Sequence, residues 1–115
     1  LIMKLTATTA EEIGQPILDS MLKAHAESDY KMLTELFSED LKLVLTEDIF
    51  NEAIQNELST YGKVSSTTYL GHLKRKGELQ LLWKVSYAKD KEDILWELYL
   101  GQVEGKVKVL GLWFG

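Results

Sequence analysis

Apolar positions recur at helical spacing before Gly62 and alternate with polar ones after it. In the first part Ile13, Ile17, Met21 and Ala24 recur along one face, with Leu18, Leu22 and His25 alongside. Thr9 and Glu12 have the spacing of a capping box, in which a Thr oxygen accepts from the amide three residues on and the Glu reaches back. Pro16 cannot donate to the turn before it, so this helix either kinks near Gly14 or begins its regular part at Pro16. It is expected to end near Glu27. Ser28-Asp29 caps a short second helix carrying Tyr30, Leu33, Leu36 and Phe37, which Ser38-Glu39-Asp40 breaks. Leu41 to Leu45 alternates like a short strand. Thr46 then caps a third helix, with Glu47 and Asp48 where the helix dipole favours negative charge. Its buried stripe is Phe50, Ala53, Ile54, Leu58 and Tyr61, and Gly62 is placed to stop it.

Between Val64 and Phe114 the pattern predicts four strands in a row. The first, Val64 to Lys74, is rich in Ser, Thr and Tyr and reads as exposed or half-exposed. In the second, Leu79, Leu81, Trp83, Val85 and Tyr87 share one face. In the third, Ile94, Trp96, Leu98 and Leu100 do the same. The charged stretch Lys89 to Asp93 and the Glu104-Gly105 pair are turns. Val107 and Val109 alternate with lysines, and then Leu110, Leu112 and Phe114 carry the apolar phase. That change predicts a bulge near Leu110-Gly111.

The resulting order is α-α-β-α-β-β-β-β. It predicts an α+β fold, one domain over residues 1–115, with three N-terminal helices on a curved, mainly antiparallel sheet. The opposite sheet face keeps Leu82, Leu95, Tyr99 and Val103, too many apolar residues for a face left in water. A homodimer through the sheet follows, with Leu82, Leu95, Glu97 and Tyr99 at its interface.

Composition narrows the function classes. The net charge is −5, from 13 basic and 18 acidic residues, which disfavours a nucleic-acid partner. The basic cluster Lys74-Arg75-Lys76 precedes Gly77 and reads as a solvated hairpin tip. No apolar run approaches the roughly 20 residues of a membrane span. There is no cysteine, which removes disulfides, thiolate nucleophiles and Cys-ligated zinc. That fits a cytoplasmic protein, the location expected here, and equally a secreted or periplasmic domain without disulfides. The chain opens at Leu1, so it is either a truncated or cleaved form, or Met3 is the native start. Leu1 to Leu5, interrupted by Lys4, is too short for a signal-peptide core.

Three segments carry a family resemblance. Ala24-His25-Ala26-Glu27-Ser28-Asp29-Tyr30, Leu36-Phe37-Ser38-Glu39-Asp40-Leu41 and Val109-Leu110-Gly111-Leu112-Trp113-Phe114 resemble the end of the first helix, the turn into the first strand and the final strand of the nuclear-transport-factor-2-like superfamily. The chain is similar to a small bacterial-type member of that group. The resemblance implies a cystatin-like cone of sheet wrapped around helices. The superfamily holds isomerases, dehydratases, cyclases, epoxide hydrolases and non-catalytic binding modules, so fold does not choose the function. In the steroid-isomerase-like members a catalytic Asp follows the acidic turn. The matching position here is about Leu45, which cannot take a proton. Asp48 is close by but is better explained by the helix dipole.

The remaining polar candidates are few. His25 lies on the apolar side of the first helix, as a pocket hydrogen-bonder or a general base, or simply as a half-buried His near a helix C-terminus. His72 is expected to face solvent. Two distant His with no third ligand give no metal signature. No phosphate loop or nucleophile arrangement is present, and no cofactor is implied. Trp83 and Trp96 follow the inward phase, which suits either a pocket wall or core. The reading is therefore a non-catalytic ligand-binding or assembly domain with no catalytic residue. Its candidate pocket comprises His25, Tyr30, Tyr61, Trp83 and Trp96 and takes a small apolar ligand. The alternative is a small isomerase, dehydratase or cyclase acting on an apolar substrate through His25 with Tyr30 or Tyr61.

Overall fold

The computed structural model describes residues 7–115, with side chains from Ala10 onward. The readings placed on Leu1 to Leu5 and Met3 lie outside the described residues. The chain is α+β, with a helix-rich first half and a four-stranded antiparallel sheet in the order β1-β2-β3-β4. The elements are α1 (Ala7–Ala26), α2 (Tyr30–Thr34), α3 (Glu39–Val44), α4 (Glu47–Ala53), a π-helical turn (Ile54–Leu58) and α5 (Ser59–Tyr61). The strands are β1 (Val64–Arg75), β2 (Glu78–Tyr87), β3 (Ile94–Val103) and β4 (Lys106–Phe114).

Helix α1 is under way at Ala7, so Thr9 lies inside it rather than at its cap, and the Thr9 side chain is outside the described residues. Pro16 is interior, and the helix does not restart there. The apolar stripe buries as its spacing predicts, with Leu18, Met21, Leu22 and Ala24 all in the core. Gly14 is where α1 meets the sheet. A Cβ at this position would stand 2.4 Å from Leu81 Cδ2 and 2.8 Å from the Trp83 ring. The helix can lie this close only because residue 14 has no side chain. Beside it Trp83 Nε1 donates to Gln15 Oε1 at 2.9 Å, and Gln15 Nε2 donates to Thr67 Oγ1 at 3.2 Å. One glutamine thus joins the helix to β1 and β2.

The segment Leu41 to Leu45 is not a strand. Ser38 Oγ accepts from Leu41 N at 3.2 Å and starts α3, with Glu39 and Asp40 in its first turn. The residues that break α2 therefore cap a new helix, and that local capping overrides the alternation of five residues. Only Leu41 of this segment is buried; Leu43 and Val44 are exposed. The sheet contact expected here falls four residues earlier, where Phe37 forms an isolated parallel bridge to Val109. Ser38 N donates to Val109 O at 2.9 Å, and Val109 N donates to Leu36 O at 2.7 Å. Phe37 thereby leaves α2 and buries fully.

The meander matches its pattern. Leu81, Trp83 and Val85 on β2 and Trp96, Leu98 and Leu100 on β3 are wholly buried on the helix-facing side. Glu104 and Gly105 both have positive φ, 53° and 79°, as a two-residue hairpin turn of the primed type requires. The predicted bulge is present. Tyr99 pairs with Gly111 and Leu100 with Val109, leaving Leu110 as the extra residue. Two more bulges, at Ser65 and Leu70, kink the edge strand β1. The Lys74-Arg75-Lys76 cluster is exposed at the β1–β2 tip, although Arg75 Nε also donates to Gln80 Oε1 at 3.1 Å. His72 does not face open solvent. It is half-buried, with Nδ1 3.2 Å from the Tyr69 hydroxyl.

Candidate functional site

Two helix ends and one hairpin end converge at one corner of the molecule. Helix α1 closes with Asp29 N donating to Ala24 O at 2.8 Å and Ser28 N donating to His25 O at 3.3 Å. This is a Schellman closure, and its left-handed position is held by Ser28 at φ 54° instead of glycine. The other helix stops at Gly62, whose φ 82° and ψ −157° lie in a region essentially reserved for glycine. The chain then enters β1 beside the end of β2. Ala88 N donates to Lys63 O at 2.7 Å and Lys89 N donates to Tyr61 O at 2.8 Å.

Between these ends lies an open cleft of about 690 Å³. Leu22 from α1, Ile54 and Leu58 from the π-helical turn, Val64 from β1 and Tyr87 from β2 give it apolar walls. A π-helical turn widens the helix locally, and such turns are frequent at functional sites. His25, Ser28 and Ser59 also line the cleft, as do three lysines, Lys23, Lys63 and Lys89.

His25 is 8% exposed, and its Nδ1 lies 2.7 Å from Met21 O. A carbonyl only accepts, so Nδ1 carries the proton and Nε2 of the neutral ring is an acceptor. The ring is packed against Phe50, Trp96 and Phe114, with centroids 5.0, 5.4 and 6.1 Å away. Burial holds its pKa below the ordinary histidine value, and the bond to Met21 only partly opposes this. His25 is therefore uncharged at neutral pH, and no second side chain hydrogen-bonds it among the described residues. Next to it Trp96 Nε1 donates to the Tyr87 hydroxyl at 3.0 Å. Burial pushes the Tyr87 pKa up to about 12, against the smaller effect of that bond.

Of the expected pocket residues only His25 lines the cleft, with Trp96 directly behind it. Tyr30 points elsewhere. Its hydroxyl donates to Leu45 O at 2.6 Å, and the residue borders a separate polar hollow with Glu27, Asp29 and Glu47. Tyr61 packs on Tyr87 at 5.2 Å from outside the lining, and Trp83 is core beneath Gly14. Tyr87, Lys63 and Lys89 are the residues the linear pattern misses. Hairpin counting carries the missing signal. From the Arg75–Glu78 closure, paired residues sum to 153, and the bulges at Ser65 and Leu70 bring Val64 opposite Tyr87. Among the described residues no group of three His, Asp or Glu is placed to hold a metal ion.

The sheet's outer face holds the other candidates. Leu95 is 37% and Trp113 64% exposed, whereas Leu82, Glu97 and Tyr99 are half-buried. Part of this apolar load is covered from within. Tyr99 lies over Gly111, where a Cβ would meet its ring at 3.0 Å, and Leu110 lies over Gly101. Gln80 is 6% exposed despite facing outward, because its Nε2 donates to Glu97 Oε1 at 2.8 Å and to the Tyr99 hydroxyl at 3.0 Å. No helix among the described residues is long and apolar enough to cross a membrane. In comparisons with protein-family models and with curated proteins, the chain matches none.

Proposed function

We propose that this chain is a non-catalytic binding domain that holds a small, mainly apolar molecule in the cleft between α1, the π-helical turn and the β1–β2 edge. The observation that carries this reading is the cleft itself: about 690 Å³, walled by Leu22, Ile54, Leu58 and Val64, with an uncharged His25 at its inner end. Small-molecule sites are concave, largely apolar and carry few polar groups, and this cleft fits that description. Binding is favoured over the enzyme alternative by the company His25 keeps. The Met21 carbonyl orients the ring and leaves Nε2 free to accept, but no polar side chain among the described residues hydrogen-bonds it; the Tyr30 hydroxyl is donated to Leu45 O, and Tyr61 packs on Tyr87 outside the lining. Acid–base chemistry needs a second positioned polar group beside the base.

The reading also places the chain among cone-shaped nuclear-transport-factor-2-like domains. Helices on one face of a meander, a bulged last strand and the Phe37–Val109 bridge support this. Helix α3, where that fold has its first strand, is the departure. Self-association through the outer sheet face completes the proposal, with Leu95, Val103 and Trp113 as its exposed apolar anchors.

A thermal-shift series tests the binding reading. A ligand that binds only the folded state at ten times its Kd adds about 1.4 kcal/mol, a rise of several degrees for a domain of this size. Small apolar compounds are expected to raise the melting temperature of the native chain. Val64→Trp, at an exposed position on the cleft wall, is expected to fold normally and lose that response. An equal response from both proteins would overturn the assignment of the site.

A further inference from the structure

Resting on that reading, we infer that the molecule held in the cleft is an apolar acid, its anionic end lying between Lys63 and Lys89 and its hydrocarbon body against Leu22, Ile54 and Leu58. The chain has 18 acidic and 13 basic residues, yet three lysines and no Asp or Glu line this cleft. The local charge is thus opposite in sign to that of the whole molecule.

The three lysines are not equivalent. Lys23 is explained without a ligand. It lies in the last turn of α1, where the dipole favours a cation, and its Nζ is 3.9 Å from Glu27. Lys63 and Lys89 belong to no helix, and among the described residues neither forms an ion pair. Their backbones are fixed side by side by the bonds from Ala88 N to Lys63 O and from Lys89 N to Tyr61 O. The stem of Lys89 is also seated, because it fills the space over Gly62, where a Cβ would come within 2.8 Å of its Cγ. That packing removes rotamer freedom before any ligand arrives, which is how a lysine is made ready for an anion. The neighbouring carboxylate of Asp90 is turned into its own loop, accepting from Glu92 N at 2.9 Å. Apart from Lys63, Lys89 and Lys23, the last already paired with Glu27, the lining is uncharged: the apolar wall, the neutral His25 and the hydroxyls of Ser28 and Ser59. The cleft therefore suits a molecule charged at one end only.

Octanoate and octanol have the same chain length and differ at the head group, so they separate this inference from the reading it rests on. Affinities for both are measured by calorimetry at 20 and 300 mM salt, with the native chain and with a Lys63→Gln/Lys89→Met double variant. Both substituted positions are exposed, so the variant is expected to keep its melting temperature. Octanoate is expected to bind the native chain about ten-fold more tightly than octanol at low salt. That preference shrinks at high salt and disappears in the double variant. If both compounds bind equally and without salt dependence, the charged end is refuted and the cleft reading stands. If octanoate keeps its preference in the double variant, the assignment to Lys63 and Lys89 is refuted. If neither compound binds, the cleft reading fails and takes this inference with it.

Discussion

Substituting Gly14 by alanine opposes two effects of known sign. In an exposed helix interior, glycine to alanine stabilises by about 1 kcal/mol, because alanine loses less backbone entropy on folding. At Gly14 the added methyl would lie 2.4 Å from Leu81 Cδ2 and 2.8 Å from the Trp83 ring, where ordinary contact begins at 3.4 Å. Both neighbours are wholly buried, so neither can swing into solvent to make room. Overpacking a tight core costs about 1–3 kcal/mol, and an overlap of this depth belongs in the upper part of that range. The net expectation is a loss of about 1–2 kcal/mol, read as a lower midpoint in urea with an unchanged slope. A double-mutant cycle locates the cause. Leu81→Ala alone costs about 2–5 kcal/mol, and in the Gly14→Ala background the new methyl enters the space it vacates. The pair is therefore expected to cost less than the sum by about 1 kcal/mol or more. A midpoint that rises in Gly14→Ala, or strict additivity in the cycle, would refute the close approach of α1 to β2.

Three other outcomes follow from single sites. Ser28 holds a left-handed conformation at φ 54°, so Ser28→Gly is expected to stabilise by about 0.5–1 kcal/mol in urea unfolding, after allowing for the entropy of glycine. The lowered pKa of His25 makes stability depend on pH in a defined direction. Above about 6.5 the ring is neutral in both states. As pH falls below that value the unfolded chain takes the proton and the folded chain resists, so stability is lost from there down to the folded pKa. The native chain should therefore lose more stability between pH 7.5 and 5.5 than His25→Phe, and parallel profiles would show that the ring is not buried. Finally, on the proposed self-association the native chain is expected to sediment as a dimer, and Leu95→Glu and Trp113→Glu on the exposed outer face are expected to sediment as monomers with folding stability within about 0.5 kcal/mol of the native chain; a monomeric native chain would refute the proposal.

What the linear pattern conveyed depended on how far each signal reached along the chain. Period-2 alternation runs the length of β2 and through most of β3, and every inward position from Leu79 to Tyr87 and from Ile94 to Leu100 is buried as the pattern requires. The Leu110 bulge was visible because it reverses that phase. Leu41 to Leu45 misled because five alternating residues are too few to outweigh a Ser38 cap with two acids behind it. Phe37 has helical spacing from Leu33, and only the pairing with Val109, some seventy residues away, takes it out of the helix. The site was harder to see for the same reason. His25 could be placed because it is on the stripe of one helix. Lys63 and Lys89 come together only through a hairpin register that two bulges shift. Tyr30 looked available, but its hydroxyl is taken by the carbonyl of Leu45, a bond between loop-flanking residues that no periodicity encodes.

The central claim is that the cleft is a binding site, and a titration of the isotope-labelled protein with octanol, followed by amide chemical shifts, tests it most directly. A neutral probe is chosen so that the outcome does not depend on the lysines. The amides of Leu22, His25, Leu58, Val64 and Tyr87 are predicted to move together along one saturating curve, with Leu95 and Trp113 on the outer sheet face unmoved. Saturable shifts confined to the outer face, or no saturable shift at any of the five cleft positions, would contradict the account.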